Sequence, residues 1–190
     1  MVNESPKQLT YGTAHQLVHS WIENKNLLKH CYAVEAAMEA YAEKFDAEDV
    51  ELWKISGLIH DADWEKWPDE HPNHLIEWLR DREVPDSLIN AVAAHGFEFN
   101  IEPTSSMAKT LRAVDELTGL IVAVTLVRES KSINDVTVDH ILKKWNKSGF
   151  AKGVRRSDIE KGAQEIGVDL REHIAFVLKA MQSISDKLGL

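Results

Sequence analysis

The spacing of apolar residues is the feature of this chain that most limits its fold. Apolar residues recur at steps of three and four, the spacing that lines one face of an α-helix. One such stripe is formed by Leu27, Cys31, Val34, Met38, Tyr41 and Phe45. Alternation of apolar and polar residues, which indicates a half-buried β-strand, never persists beyond a few positions. The sequence therefore predicts an all-α fold.

Helix boundaries can be placed from the same spacing and from capping residues. We expect helices over residues 47–60 and 71–82, with the first of these central because it is apolar nearly all round. Pro85 and Gly96 are typical first and last residues of the next helix. The "PTSS" segment supplies the cap of a long helix that ends near Arg128.

The character of the chain changes after residue 130. A polar linker, "ESKSINDVTVDH", leads to a basic stretch and then to a last amphipathic helix from about Asp169 to Leu188. A separate domain of this size would be only marginally stable. We therefore expect residues 131–190 to form a helical appendage packed on a core of residues 1–130.

Composition narrows the class of partner. A net charge of −9 argues against a nucleic-acid polymer, because proteins that coat nucleic acids present basic surfaces. The longest apolar run, "LTGLIVAVTLV", is too short to span a bilayer, and "MVNESPKQLT" lacks the pattern of a signal peptide. The single cysteine, Cys31, cannot form an internal disulfide, which fits a reducing compartment. We expect a cytoplasmic protein without a membrane partner.

Ionisable residues interrupt the apolar faces of four of these helices. They are His30, His60 with Asp61, His95 and Asp115. A lone histidine on such a face is more often a hydrogen-bonded core residue than a ligand. An ionised carboxylate there costs several kcal/mol unless it is paired or metal-bound. Arg112, three residues before Asp115, is the candidate ion-pair partner that would remove the need for a metal.

A metal site explains these residues together. Imidazole nitrogen with carboxylate oxygen is a ligand set for Mn, Fe, Co, Ni or Zn. Neighbouring residues on a helix point about 100° apart, so His60 and Asp61 can hold an ion in the gap between their directions. The sequence thus predicts a site for a divalent transition metal among the helices.

The order of these residues resembles the H…HD…D signature of the HD superfamily of metal-dependent hydrolases. The resemblance covers residues 26 to about 128, through "LLKHCYAVEAAMEAYA", "GLIHDAD" and "RAVDELTG". It implies an HD-domain-like helical bundle in which one metal is held by His30, His60, Asp61 and Asp115. The continuation as far as "KKWNKSGFAKGVRR" is similar to an uncharacterised, HDIG-like branch of predicted HD hydrolases.

A second metal is also implied by the resemblance. Binuclear members have two further histidines between the doublet and the last aspartate, one often before a proline and one at a helix end. Here His71 in "EHPNH" and His95 in "AVAAHG" fill those places, and Asp61 would bridge the two ions. His74, one turn after His71, is the competing candidate.

The implied activity is hydrolysis of a phosphomonoester or phosphodiester of a small molecule, which could be a nucleotide, by metal-activated hydroxide. Asp61 would hold the hydroxide in line with phosphorus. Asp63 is the preferred acid for the leaving oxygen, although it could be a solvated loop residue. Ala62, Asp63 and Trp64 replace the I-G-K of several binuclear members, so their phosphate-binding lysine is missing. No G-Y-P motif follows His95, which counts against a cyclic dinucleotide phosphodiesterase.

Phosphate contacts could come from a basic cluster after residue 140. It consists of Lys143, Lys144, Lys147, Lys152, Arg155 and Arg156. If this segment folds over the cleft, we expect Lys143, Lys144 and Arg155 to bind the substrate. The alternatives are a solvated helix face and the surface of a homodimer.

Two other functions compete with hydrolysis. Di-iron oxygenases use the same helical scaffold with six histidine and aspartate ligands. A non-catalytic HD module would bind a nucleotide or a partner without turnover. That second alternative predicts lost ligands, yet all four signature positions are present.

Overall fold

The all-α prediction is confirmed by a computed structural model, which describes residues 8–147 and 149–190 and shows no strand within them. The helices are α1 (Tyr11–Trp21), α2 (Lys25–Lys44), α3 (Val50–Ile59), α4 (Asn73–Arg80), α5 (Asp86–Ala93), α6 (Ser106–Leu126), α7 (Val138–Trp145), α8 (Arg156–Glu165), α9 (Leu170–Gln182) and α10 (Ser185–Leu188). None of these helices is long and apolar enough to cross a membrane.

Helix α3 lies at the centre, as its apolar sequence indicated, but is shorter than expected at both ends. It begins at Val50 because the side chain of Asp49 accepts a hydrogen bond from the backbone N–H of Leu52, at 2.8 Å. Its closest neighbour is α2, and Gly57 makes the approach possible. A Cβ atom at position 57 would lie 2.9 Å from the backbone of Glu35. This packing brings the end of α3 beside the middle of α2.

Helix α6 packs against α2 and α5 and is the longest element. The side chain of Ser105, from the "PTSS" segment, accepts a hydrogen bond from the N–H of Ala108 at 3.1 Å and caps the helix start. The helix ends at Leu126, close to the expected Arg128. Asp115 therefore lies in the middle of a rigid, mostly buried helix.

Residues 131–190 pack along α6 and α2. The segment expected to be a polar linker is held in place, because Ile133 and Val136 are both buried in the core. Helix α8 lies against α6 at Gly162, where an added Cβ atom would be only 2.6 Å from Cα of Ala113. Close backbone contact of this kind requires glycine.

A buried histidine joins α9 to the two central helices. Nε2 of His173 donates a hydrogen bond to the carbonyl of Ala113 at 2.9 Å, and the Tyr41 hydroxyl donates to Nδ1 at 2.7 Å. The side chain has no exposure to solvent. Burial therefore lowers the pKa of His173 to about 4.

We expect this histidine to make the protein less stable as the pH falls from about 6.5 to 4. Over that range the histidine of the unfolded chain takes up a proton that the folded chain excludes. The free energy of unfolding should therefore drop by about 3 kcal/mol across it. Urea unfolding followed by circular dichroism, in the wild type and in His173→Gln, measures this contribution.

Glutamine can accept from Tyr41 and donate to Ala113 but does not titrate in this range. The variant should therefore lose less stability on acidification than the wild type does. Equal losses in the two proteins would contradict the role given to His173.

Candidate metal centre

Six side chains from separate parts of the chain meet inside the helical bundle. They are His30 in α2, His60 and Asp61 at the end of α3, His71 in the loop before α4, His95 after α5, and Asp115 in α6. These are the six residues that the sequence and the resemblance suggested as metal ligands. The structure brings all of them together.

The first group of ligand atoms lies between α2, α3 and α6. Nε2 of His30 and Nε2 of His60 are 3.2 Å apart. Oδ2 of Asp61 lies 3.5 Å from both nitrogens. Oδ1 of Asp115 lies 3.0 Å from Nε2 of His30 and 3.5 Å from Nε2 of His60. Each of the two imidazole nitrogens therefore contacts an oxygen of both carboxylates, and His30, His60 and Asp61 lie close enough together to hold one ion.

The second group shares one of those carboxylates. Nε2 of His71 and Nε2 of His95 are 3.2 Å apart, and Oδ1 of Asp61 lies 3.4 and 3.5 Å from them. The two oxygens of Asp61 thus face two different histidine pairs. This is the arrangement required of a carboxylate that bridges two ions.

The separations fit a divalent transition metal. Ligands bound about 2.0–2.2 Å from one ion lie roughly 3.0–3.5 Å from each other in octahedral or tetrahedral geometry. The distances between imidazole nitrogens, and from these nitrogens to the carboxylate oxygens, are 3.0 to 3.5 Å in both groups and fall in that range. The donor set of imidazole nitrogen and carboxylate oxygen suits the same metals.

Backbone carbonyls fix the tautomers of two of the histidines. Nδ1 of His60 donates to the carbonyl of Gly57 at 2.8 Å, and Nδ1 of His95 donates to the carbonyl of Val92 at 2.6 Å. A carbonyl only accepts, so the proton of each neutral ring is on Nδ1. The lone pair on Nε2 is then directed into the cluster.

Side chains fix the tautomers of the other two histidines, His30 and His71. Nδ1 of His30 lies 3.2 Å from Oγ1 of Thr118, which donates its own hydrogen to the carbonyl of Asp115 at 2.8 Å and is left to accept. Nδ1 of His71 donates to Oδ1 of Asp63 at 2.6 Å. All four Nε2 atoms are therefore free to bind a metal.

The charges of the cluster favour a cation between these atoms. Burial lowers the pKa of His30, but hydrogen bonds to Asp115 and Asp61 outweigh it and raise that pKa to about 10. Burial raises the pKa of both aspartates, but nearby histidines hold both below the usual range. Positive charge, from a proton or from a metal ion, is stabilised at this point.

Arg112 does not neutralise Asp115, so the ion-pair explanation of that carboxylate is wrong. Nε of Arg112 donates to the carbonyl of Ala94 at 2.7 Å, and its guanidinium lies over the ring of Phe97, 4.6 Å from the centroid. Nη1 of Arg112 lies 3.7 Å from a carboxylate oxygen of Glu165. Because Ala94 precedes His95, Arg112 also holds the segment that carries His95.

The family comparison agrees with this geometry. The model of the HD domain family matches residues 27–120, about half of the chain, and that range contains all six side chains. The chain belongs to the HD superfamily. A search of curated proteins found no match, and neither did a search of solved structures. HD domains bind divalent metals and are generally metal-dependent phosphohydrolases, and the candidate metal centre lies within the matched range.

Asp63 does not have the position that its expected catalytic role requires. Its side chain is fully buried, Oδ1 accepts from His71, and Oδ2 accepts from the N–H of Leu75 at 3.0 Å. The role predicted for it, protonation of the leaving oxygen at the entrance of the HD site, does not fit this position, because both oxygens are occupied and neither reaches solvent. Asp63 orients His71 instead.

A small cleft of about 130 Å³ opens onto the HD site. Its walls include Asp61, Asp115, Trp64, Phe97, Phe99 and Glu116 from the first 120 residues. Burial and then the nearby Asp115 raise the pKa of Glu116 to about 7. Glu116 was not among the residues predicted from the sequence, although its place directly after Asp115 was a usable signal.

Arg155 reaches the same cleft from outside the matched HD domain. Nη2 of Arg155 lies 2.6 Å from Oε2 of Glu98, and Nε lies 2.7 Å from Oδ2 of Asp158. Its backbone N–H donates to Oε2 of Glu116 at 3.3 Å. The start of α8 thereby closes one side of the cleft.

Lys143 and Lys144 do not line this cleft. They line a separate groove beyond the end of α6, whose last residue, Leu126, comes 11 residues after Asp115. At 1.5 Å per residue that separation is about 17 Å. The structure therefore does not bring these two lysines to the HD site, where they were expected to bind a substrate phosphate.

Alanine at position 61 should remove both metal ions, because both groups use Asp61. His95→Ala should lose the second ion and keep the first. Elemental analysis of the purified variants by mass spectrometry measures the metal-to-protein ratio, and circular dichroism confirms that each variant is folded.

His74→Ala is the matched control. His74 stacks on Trp67 at 4.3 Å between ring centroids and lies 3.2 Å from a carboxylate oxygen of Glu70, outside the cluster. This variant should keep the wild-type metal content. If it loses metal while His95→Ala keeps it, the second group is assigned incorrectly.

Proposed function

We propose that the protein hydrolyses the phosphate ester of a small molecule at a centre for two divalent metal ions. The observation that supports this most is the shared carboxylate, whose two oxygens face two histidine pairs. Bound ions would lower the pKa of a coordinated water to about 7 and offset the negative charge of a phosphate.

Two sets of side chains would hold the ions. His30, His60 and Asp115 complete the first set, and His71 and His95 complete the second, with Asp61 common to both. The second site is the weaker one in our proposal because it has a single carboxylate. The buried Asp63 compensates by making His71 a better donor through the hydrogen bond at Nδ1.

Arg155 is the residue we propose for the phosphate. Its guanidinium lines the cleft, and the three carboxylates in ion-pair contact with it, those of Glu98, Glu116 and Asp158, are partly exposed. A phosphate presents more negative charge and more acceptor oxygens than a carboxylate, so it can compete for the same N–H groups. The small cleft favours a terminal phosphate, since a diester needs room on both sides of phosphorus.

A proton for the leaving oxygen requires a carboxyl group within the cleft. Asp63 is excluded by its buried hydrogen bonds, whereas Glu116 lines the cleft directly beside Asp115. We propose that Glu116 donates this proton. Both of its oxygens face Arg155, since Oε2 accepts from the backbone N–H and Oε1 lies 3.4 Å from Nη2, so a phosphate that binds the guanidinium would release Oε1 for this role.

The decisive experiment is a screen of phosphomonoesters and phosphodiesters with the protein loaded with Mn, Co or Ni. We expect phosphate release from at least one small monoester, and no release by Asp115→Ala, which should lose metal. Oxygen consumption by iron-loaded protein without phosphate release would instead establish an oxygenase. Full metal content in a folded Asp115→Ala would contradict the ligand assignment.

The two cleft residues should affect different kinetic constants. Arg155→Gln should raise KM about tenfold, since it removes a charged hydrogen bond to the bound phosphate. Glu116→Gln should leave KM nearly unchanged and lower kcat about 100-fold, since it removes an acid. Steady-state kinetics at matched metal content measure both constants, and equal effects of the two variants on kcat would contradict these roles.

A further inference from the structure

A large groove lies at the end of α6, outside the matched HD domain. We call it the cationic groove. It has a volume of about 680 Å³ and is lined by Arg128, Lys143, Lys144 and Lys147, with Val124 and Val127 as its apolar part. Lys143 and Lys144 lie in α7 and Lys147 follows it, so the groove lies between the end of α6 and the α7 region.

The charge of the groove is opposite to that of the protein. Its four permanent cations face two carboxylates, those of Glu129 and Asp135. The whole chain has a net charge of −9. Within residues 8–147 and 149–190, no carboxylate lies in ion-pair contact with Arg128, Lys143, Lys144 or Lys147. Arg155, by contrast, contacts three carboxylates.

Arg128 provides a second observation. Its Nε atom is buried and has no hydrogen-bond acceptor among the described residues. A buried donor without an acceptor is unfavourable, and a charged one is more so. Arg128 thus lines the groove with a guanidinium whose Nε is not bound to an acceptor among the described residues.

Distance separates this groove from the metal centre. The rise along α6 puts the end of the helix, at Leu126, about 17 Å from Asp115, farther than one phosphate group can bridge. The groove and the cleft share no lining residue. An anion in the groove is therefore a second ligand and not part of a substrate in the cleft.

We propose that the cationic groove binds a small anion that carries two or more phosphate groups. Lysine and arginine are the side chains that bind phosphate oxygens, and several of them are needed to hold more than one charge. The volume is within the range of small-molecule sites, and Val124 and Val127 can contact a carbon skeleton.

Inorganic pyrophosphate is the probe that tests the charge recognition alone. We expect titration of the full-length, isotope-labelled protein to shift the backbone amide signals of residues 124–130 and 140–147. Lys143→Gln combined with Lys147→Gln should weaken this binding about tenfold or more, because it removes two charged contacts. Asp61→Ala should retain it, which separates the groove from the proposed metal centre.

The matched control is Lys25→Gln combined with Lys179→Gln. It removes the same charge from two exposed positions that do not line the groove. This control should bind pyrophosphate as the wild type does. Shifts confined to the metal cleft, no shifts at all, or equal weakening by both double variants would each overturn the proposal.

Discussion

The convergence of four imidazole nitrogens on two largely buried carboxylates is the constraint on which the rest of the structure depends. Without positive charge between them, the carboxylates repel each other and the nitrogen lone pairs face one another. The protein fixes each ring from behind, through Gly57, Val92, Thr118 and Asp63. The helices hold these imidazoles and carboxylates close together, and the chemistry that we propose depends on that arrangement.

The fold was predictable because helical spacing is a local property. The apolar stripe of α2 and the cap of α6 depend on residues that are close together in the sequence, so both could be assigned without a structure. The choice between His71 and His74 as candidate metal ligand could not be made from the local sequence, because the two residues lie one turn apart in similar sequence. Contacts from Asp63 and from Trp67 decide it, and sequence gives no sign of which loop carboxylate points inward.

The positions of the side chains in the basic cluster were likewise not predictable from the sequence alone. Its residues are close in sequence, but α7 and the turn after it direct Lys143 and Lys144 to the cationic groove and Arg155 to the metal cleft. Arg156 lines neither the cationic groove nor the metal cleft. Its guanidinium donates to the carbonyls of Phe150, Ala151 and Val154, which fixes the turn before α8. The basic residues therefore lie in three different environments, which their spacing in the sequence could not distinguish.

The position of Arg155 also bears on the missing lysine of the HD pattern. The third residue after the doublet, where several binuclear members have lysine, is Trp64, and this side chain lies at the cleft, 48% exposed. Its ring is 5.2 Å from that of His71, so it contributes contact area but no charge. If the cleft binds phosphate, the positive charge has to come from another part of the chain, and Arg155 is the partly exposed arginine that lines it. Arg112 also lines the cleft, but it is buried and its donors are held by two backbone carbonyls. The segment after the HD domain would then be part of the active site, because it carries the arginine that a phosphate can reach.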